Sequence, residues 1–334
     1  MTDAPPTPAL LEVEDLHVEF PTSDGMAVAV DGMSFAVEAG RTLGIVGESG
    51  SGKSVTSLAI LGLLPPNAVI RGSIRLAGRE LLGLPDARLR EIRGREIAMV
   101  FQDALAALNP VMTVGAQLAE AVRVHDSSRS SRQLRERAIE LLDLVGIPSP
   151  AERVDQYPHQ FSGGMRQRVM IAMAIANDPA VLIADEATTA LDVTVQAQVL
   201  DVLRRIQERT NTAVLLITHD LGVVAGLADR VAVVYAGAMV EDAPVDDIFH
   251  HPSHPYTRGL LAALPRLDRR TGSLRPIPGS PPSQLELPTG CRFHPRCPWA
   301  RPGLCDVESP PPLLVGPDHR SACLLADELT EVVA

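Results

Sequence analysis

A glycine-rich loop that contains the only lysine of the chain is the first stretch with residues suited to chemistry. It reads Gly-Glu-Ser-Gly-Ser-Gly-Lys-Ser and fits the pattern G-x-x-x-x-G-K-[ST]. Glycines let the backbone curl so that its N–H groups face phosphate oxygens, and a following helix adds its positive N-terminal end. The pattern therefore predicts a nucleotide phosphate site formed by Gly47, Glu48, Ser49, Gly50, Ser51, Gly52, Lys53 and Ser54.

Two adjacent acids follow an apolar run, Val-Leu-Ile-Ala, at residues 181–184. In an open parallel sheet, ligands bind beyond the carboxyl ends of the strands. Asp185 is therefore expected to hold Mg²⁺ and Glu186 to polarise an attacking water, with Ser54 as a second Mg²⁺ ligand. A solvated strand end is the alternative for two such acids, and the phosphate loop elsewhere in the chain makes it the weaker one.

A second candidate anion site precedes an apolar helix predicted over residues 169–176. Ser162 can cap this helix, and Gly163 and Gly164 allow a close approach of the backbone. A single nucleotide cannot easily use two such helix ends from one chain. By itself, this segment would be read as an ordinary helix cap.

The elements expected to position these residues alternate along the chain, which predicts an α/β fold with a mostly parallel sheet. Strands are predicted at residues 16–20, 33–37, 42–46, 181–184, 213–218 and 231–235. Helices are predicted at residues 54–64, 115–146 with a polar break at 126–132, 169–176 and 196–209. Residues 250–334 contain all four cysteines and many prolines, and they are expected to form a second, loop-rich unit.

Composition excludes several classes of protein. The chain has 334 residues, 46% of them hydrophobic, which is enough to bury a large core. Its net charge of −11 and its 3% of aromatic residues argue against a nucleic-acid binder. No signal peptide and no apolar stretch of about 18 residues is visible, so the sequence predicts a cytosolic location.

Taken together, the motifs resemble those of ATP-binding cassette ATPases over residues 10–245. The resemblance rests on the order and spacing of 47–54, Gln102, 162–167, Asp185-Glu186, 190–192 and 218–220. It implies a P-loop NTPase cassette with a parallel core sheet, an antiparallel β subdomain and a helical subdomain. In that family two cassettes pair head to tail, so the Ser162-Gly163-Gly164 end of one closes over ATP on the phosphate loop of the other.

The same resemblance assigns further roles. Gln102 corresponds to the glutamine that touches Mg²⁺ and senses the γ-phosphate, and His219 to the histidine that contacts that phosphate. Asp192 corresponds to the aspartate that crosses the dimer interface, and Gln167 belongs to the serine-glycine-glycine motif. Phe20 is the candidate to stack on adenine, although a phenylalanine in an alternating strand is also often a core residue.

A narrower set of motifs resembles the D-type ATPase subunit of bacterial dipeptide and oligopeptide importers. It comprises residues 102–103, 108–110, 157–160, 171–174, 192–196, 254–257 and 291–298. Ala187 departs from the pattern, since the family usually has proline there.

This narrower resemblance implies a motor role in peptide import at the cytoplasmic face of the membrane. The implied partners are a second ATPase subunit of the F type, two permease subunits and an extracytoplasmic binding protein. Cargo such as nickel or glutathione, and a soluble ATPase outside transport, remain alternatives. The expected domains are a tail at 1–9, a cassette at 10–249 with a helical subdomain near 103–178, and an extension at 250–334.

The four cysteines, Cys291, Cys297, Cys305 and Cys323, lie within 33 residues of each other. Their spacing, C-x5-C-x7-C-x17-C, matches neither the usual zinc patterns nor the ferredoxin run. The resemblance implies a [4Fe–4S] cluster, because matching cysteines bind one in the importer family. Zn²⁺, with His294 or His319 replacing a cysteine, and four ordinary thiols are the alternatives. Since the cysteines are far in sequence from the phosphate loop, a structural role separate from the ATP site is expected.

Overall fold

The structure is a computed structural model that describes residues 9–101, 107–187, 192–264 and 276–330. These residues form two compact units, and both units are built from separate stretches of the chain. The first unit consists of the described parts of Met1–Leu11, Ala36–Thr42 and Arg75–Ile217. The second consists of Glu12–Phe35, Leu43–Ile74 and the described parts of Thr218–Ala334.

The strands, numbered β1 to β12 in chain order, have the following bounds. They are Ala9–Thr22, Gly25–Glu38, Thr42–Val46, Val69–Leu76, Arg79–Glu80, Ile97–Val100, Val181–Asp185, Ala213–Thr218, Arg230–Tyr235, Ala238–Pro244, Leu313–Gly316 and His319–Ser321.

The α-helices of the described residues are numbered α1 to α11 in the same way. They are Lys53–Ile60, Asp86–Ile92, Val114–Arg123, Ser131–Leu144, Pro150–Arg153, Gly163–Ala174, Val193–Thr210, Leu221–Ala225, Val245–His250, Pro255–Ala262 and Ala326–Thr330. Short 3₁₀ helices lie at Pro158–Gln160 and His294–Arg296.

The first unit contains a parallel run of strands, in which β7 lies between β6 and β8. Val181 pairs with Ile97 on one side and with Ala213 on the other. Both β7 and β8 are buried along their whole length, which explains their continuous apolar sequences. Helix α6 packs against β6 and α7, so the core lies between the strands and this helix.

The second unit contains β3 and β9 as a parallel pair, with Ile45 opposite Ala232. Strands β10, β12 and β11 continue from β9 in antiparallel order. A separate sheet places β1 between β2 and β4. The mixture of parallel and antiparallel strands with flanking helices confirms the α/β class predicted from the sequence.

Several boundaries differ from prediction for local reasons. Strands β1 and β2 are longer than the runs at 16–20 and 33–37, because a tight turn after Thr22 joins them as a hairpin. Helix α1 ends at Ile60 rather than near residue 64. Gly62 adopts a left-handed conformation (φ 60°) and its N–H bonds to Ala59 O at 3.0 Å, which is a glycine-based helix stop.

Within the described ranges, the structure has no helix with both the length and the apolar character needed to cross a membrane. The domain boundaries predicted at residues 10–249 and 250–334 stay a prediction.

Candidate functional site

The predicted phosphate loop lies in the second unit, between the end of β3 and the start of α1. Two of its glycines are needed for steric reasons. A Cβ on Gly47 would stand 2.1 Å from Val234 O, and a Cβ on Gly52, where φ is +99°, would stand 2.3 Å from Ala29 O. Any larger residue would move the backbone, so the loop can take this path only with glycine at these positions.

Lys53 begins α1 and is 4% exposed. Its ammonium group donates to Gly47 O at 2.7 Å and to Glu48 O at 2.8 Å, and it lies 3.3 Å from Ser51 Oγ. The lysine therefore stands inside the loop, where an ammonium group can attract phosphate oxygens. Ser54 follows it as an exposed residue, and Ser49 and Gly50 at the tip of the loop are exposed too.

Three side chains of the C-terminal part of the chain contact this loop, and sequence reasoning assigned none of them a role. Tyr256 accepts a hydrogen bond from the Glu48 N–H at 2.8 Å, and Gln284 donates to Gly50 O at 2.9 Å. Arg296 pairs with the Glu48 carboxylate. The sequence separations exceed 200 residues, so no local pattern could have indicated these contacts.

The two acids of the first unit occupy the end of β7. Asp185 is the last residue of the strand, is 7% exposed and pairs in register with Ile217. Glu186 follows in a left-handed conformation (φ 47°), and its N–H donates to Ile217 O at 2.9 Å. A non-glycine residue seldom adopts this conformation, and such positions concentrate at functional sites.

The serine-glycine-glycine segment begins α6 as predicted. Ser162 caps this helix by accepting from the Met165 N–H at 3.3 Å, and both Ser162 and Gly163 are exposed. Gly164 faces α7, since a Cβ there would lie 2.6 Å from a methyl group of Val195. The segment thus presents an open helix N-terminus, which is the geometry that binds anions.

Gln167 connects this helix to the acids. Its side chain is 3% exposed, and its amide donates to Ala187 O at 2.6 Å. Ala187 is the residue after Glu186, so α6 and the turn that carries the predicted base are joined by a buried hydrogen bond. Asp192 is exposed and caps α7 by accepting from the Val195 N–H at 3.0 Å.

The remaining predicted residues lie in different places. Phe20 is half-buried near the end of β1, and His219 is exposed directly after β8, both in the second unit. Gln102 lies outside the described residues. Of the predicted site, the second unit thus holds Phe20, the phosphate loop and His219, and the first holds Ser162–Gln167, Asp185, Glu186 and Asp192.

All four cysteines line one small cavity, together with His254 and His294. The thiols are not joined in disulfides. Burial raises the pKa of Cys291, and burial together with the neighbouring cysteines raises the pKa of Cys297 to about 11 and that of Cys323 to about 12. Among the described residues, which include all four cysteines, no group of three or more His, Cys, Asp or Glu is arranged to hold a metal ion.

The two histidines considered as substitutes for a cysteine differ. His294 lines the cavity, and its Nδ1 lies 2.9 Å from Cys291 O. His319 instead lies 2.8 Å from Glu241, a carboxylate buried to 1% exposure, and does not line the cavity. Of the two, only His294 is placed among the cysteines.

Comparisons with known proteins agree with this geometry. Residues 30–189 match the family model described as ABC transporter, and residues 240–305 match the one described as oligopeptide/dipeptide transporter, C-terminal region. The dimeric structure of the ATP-binding cassette MJ0796, bound to ADP and Pi, is similar with a TM-score of 0.63 and 26% identity over 70% of this chain and 98% of that one. Fold and motifs thus define the class of ATP-binding cassette ATPases.

Full-chain similarity narrows the family. The dipeptide transport ATP-binding protein DppD of Bacillus subtilis is 52% identical over 96% of both chains, and the oligopeptide transport ATP-binding protein OppD of Salmonella typhimurium is 50% identical over 96% of both. OppD of Mycobacterium tuberculosis is 54% identical over 96% of this chain, which spans 52% of that relative's length. The chain belongs to the oligopeptide/dipeptide transport family of ABC ATP-binding proteins.

Proposed function

We propose that this chain is the ATP-hydrolysing subunit of an importer for dipeptides or oligopeptides. The observation that carries the proposal is a phosphate loop held in place by the C-terminal segment that matches the oligopeptide transporter family. The relatives with full-length matches are named for dipeptide and oligopeptide transport, which favours peptides over nickel, glutathione or another solute as cargo. A soluble ATPase outside transport would not need this C-terminal segment.

In the proposed mechanism, the phosphate loop and the N-terminus of α1 bind the phosphates of ATP. Lys53 neutralises charge on the terminal phosphates, and Glu186 accepts a proton from the attacking water. Mg²⁺, when bound, compensates the charge of the β- and γ-phosphates, and Ser54, Asp185 and Gln102 supply the oxygen donors that this ion prefers. His219 contacts the γ-phosphate, and Phe20 stacks on the adenine.

A second cassette completes the site. The open helix end at Ser162, Gly163 and Gly164 is suited to an anion held by another chain. Asp192 corresponds to the aspartate that crosses the dimer interface in the family. The proposed partner is a related F-type subunit, and the pair acts on two permease subunits fed by an extracytoplasmic binding protein. The chain is thereby peripheral to the cytoplasmic face of the membrane.

Two substitutions test the chemistry. Glu186→Gln should keep ATP binding and nearly abolish turnover, because the carboxylate that accepts the proton is lost. Lys53→Ala should weaken binding itself. Both are measured in the complex with the partner cassette and the permeases, as ATP affinity and as phosphate release. Turnover of Glu186→Gln near the wild-type rate would contradict the assignment of the base.

Assembly and cargo are tested separately. The chain alone should be a weak ATPase, and co-expression with its partner cassette and permeases should raise the rate. Proteoliposomes with the complex and its binding protein should take up a labelled dipeptide or tetrapeptide in an ATP-dependent way. Uptake of nickel or glutathione without uptake of peptides would refute the peptide assignment and leave the motor role intact.

We further propose that Cys291, Cys297, Cys305 and Cys323 hold a [4Fe–4S] cluster of structural role within the extension at residues 250–334. Four thiols that line one cavity are the ligand set that such a cluster requires. A single Zn²⁺ would draw its sulfur ligands to about 2.3 Å from the ion, whereas a cluster would bind each cysteine through a separate iron. Iron would bind the sulfurs as thiolates, whereas without metal burial raises the pKa of Cys291, Cys297 and Cys323 and so favours their protonated form.

Anaerobic purification of the full chain tests this proposal. The protein should be brown and contain about four irons and four sulfides per chain. Cys297→Ser should lose both colour and iron. One zinc per chain, or metal-free protein with normal stability, would contradict the cluster.

A further inference from the structure

Glu48, the second residue of the phosphate loop, is held by an arginine from the far end of the chain. Arg296 Nη1 lies 2.7 Å from Glu48 Oε2, and Arg296 Nη2 lies 3.0 Å from Glu48 Oε1. The two residues are 248 positions apart. Two parallel N–H···O bonds between a guanidinium and a carboxylate form the most directional kind of ion pair in proteins.

Arg296 is itself fixed in this position. Its side chain is 5% exposed, and its Nε donates to Pro278 O at 2.9 Å. Its guanidinium lies over the ring of Tyr235, 5.7 Å from the centroid. The hydrogen bonds to Glu48 raise the pKa of Arg296 further. The arginine is thus part of a built contact and not a surface side chain that meets a carboxylate by chance.

The charge of Glu48 is unfavourable for the proposed task of the loop. The segment 47–54 contains only two charged residues, Glu48 and Lys53, so its formal charges cancel. A carboxylate in a loop that binds phosphates opposes the ligand, and the effect is strong where water is partly excluded. With Arg296 included, the group of three has a net positive charge.

We propose that Arg296 is a positioning residue for nucleotide binding, which neutralises Glu48 and fixes the phosphate loop from the C-terminal extension of the same chain. The inference rests on the proposed function, in which this loop binds ATP. If Arg296 acts in this way, the extension at residues 250–334 takes part directly in the ATP site. Its distance in sequence from the loop had led us to expect a separate role.

The loop has other anchors, so a variant at Arg296 is expected to fold. Tyr256 still accepts from the Glu48 N–H, Gln284 still donates to Gly50 O, and the Gly237 N–H donates to Ser51 O at 3.0 Å. None of these contacts neutralises a charge. Removal of the guanidinium therefore removes the positive charge that faces Glu48, together with the hydrogen bonds of Arg296 to Pro278 O and to the Tyr235 hydroxyl.

The test measures binding of Mg-ATP to the full-length chain by calorimetry. Arg296→Gln should weaken binding about tenfold, equivalent to about 1.4 kcal/mol. Arg301 is the matched control, since it belongs to the same extension and pairs with Glu328 at 2.9 Å, away from the loop. Arg301→Gln should bind Mg-ATP like the wild type.

The double variant Glu48→Gln/Arg296→Gln distinguishes neutralisation of the Glu48 charge from structural support of the loop by the Arg296 side chain. If Arg296 acts by neutralising Glu48, the double variant should recover affinity to within about threefold of the wild type. In the assembled complex, Arg296→Gln should raise the KM for ATP with little change in kcat. Arg296→Lys keeps the positive charge but cannot form the two parallel hydrogen bonds, so its affinity for Mg-ATP should lie between those of the wild type and Arg296→Gln.

Three results would overturn the inference. One is wild-type affinity in Arg296→Gln while Lys53→Ala has lost binding. Another is a double variant as weak as Arg296→Gln, which would make the arginine a structural support only. If Arg296→Gln does not fold, Arg296→Lys decides, and the third result is wild-type affinity for Mg-ATP in that variant, which would show that the two parallel hydrogen bonds do not position the loop. Failure of the wild-type chain to bind Mg-ATP would instead refute the proposed function.

Discussion

Replacing Tyr256 with phenylalanine removes one atom from the junction between the C-terminal segment and the phosphate loop. The hydroxyl accepts the hydrogen bond of the Glu48 N–H at 2.8 Å. The ring is fully buried and packs on Tyr235 and Phe293, with centroid distances of 4.7 and 5.4 Å. Phenylalanine keeps this packing, so the substitution tests the hydrogen bond alone.

The expected loss of stability follows from the Glu48 N–H, which remains in the variant without its acceptor. A fully buried donor that loses its acceptor costs about 1–3 kcal/mol, and because the bond of the Glu48 N–H is part-buried, the lower end of this range applies. Burial raises the pKa of Tyr256, so the hydroxyl stays neutral at all moderate pH values and the cost does not depend on ionisation. We therefore expect Tyr256→Phe to lower the free energy of unfolding by about 1 kcal/mol.

Chemical denaturation of the full-length chain, followed by circular dichroism, measures this difference. Tyr157→Phe is the control, because Tyr157 is 41% exposed and water can replace its contacts. A loss for Tyr256→Phe no greater than that of Tyr157→Phe would refute the reasoning. A loss above about 4 kcal/mol would also contradict it, since a single hydroxyl cannot account for that much.

Two further predictions concern buried polar groups. Burial lowers the pKa of His254 to about 4 from 6.5, so the unfolded chain binds a proton first and stability should fall as the pH decreases from 6.5 to 4, by up to about 3 kcal/mol. His254→Asn keeps a side chain that can cap α10, and it should make the free energy of unfolding less dependent on pH between pH 7 and 4.5. An unchanged dependence on pH would exclude His254 as the cause. Gln167→Leu removes the side-chain amide that donates to Ala187 O, next to Glu186. This variant should lower ATP turnover of the complex about tenfold or more, while ATP affinity stays within about twofold of the wild type. Turnover equal to that of the wild type would show that this hydrogen bond does not position the base.

The local sequence predicted secondary structure well where interactions between neighbouring residues determine it. The apolar runs at residues 42–46 and 213–218 are strands with those same bounds, because a continuous apolar run is suited to a strand buried on both faces. Ser162 caps α6 as its residue type predicted. The early stop of α1 was also readable in principle, since Gly62 is a recognised helix terminator that the prediction passed over.

The candidate site was predicted in part. The phosphate loop, the acids at the end of β7 and the serine-glycine-glycine helix start are each a single short segment, so their spacing along the chain indicates the chemistry. Gln167 was included through its motif, but its hydrogen bond to Ala187 was not foreseeable. The distance in sequence between the C-terminal segment and the phosphate loop gave no sign of their contact, which Arg296, the residue before Cys297, makes with Glu48.

The sequence by itself determined the class of fold and the family and predicted the phosphate loop, because these depend on residue types at short, regular spacings. Only the tertiary structure decided what holds that loop. The contacts of Tyr256, Gln284 and Arg296 with it join residues more than 200 positions apart. Such pairs leave no periodic signal, since they form only when the whole unit has closed and buried the groups that must then find partners.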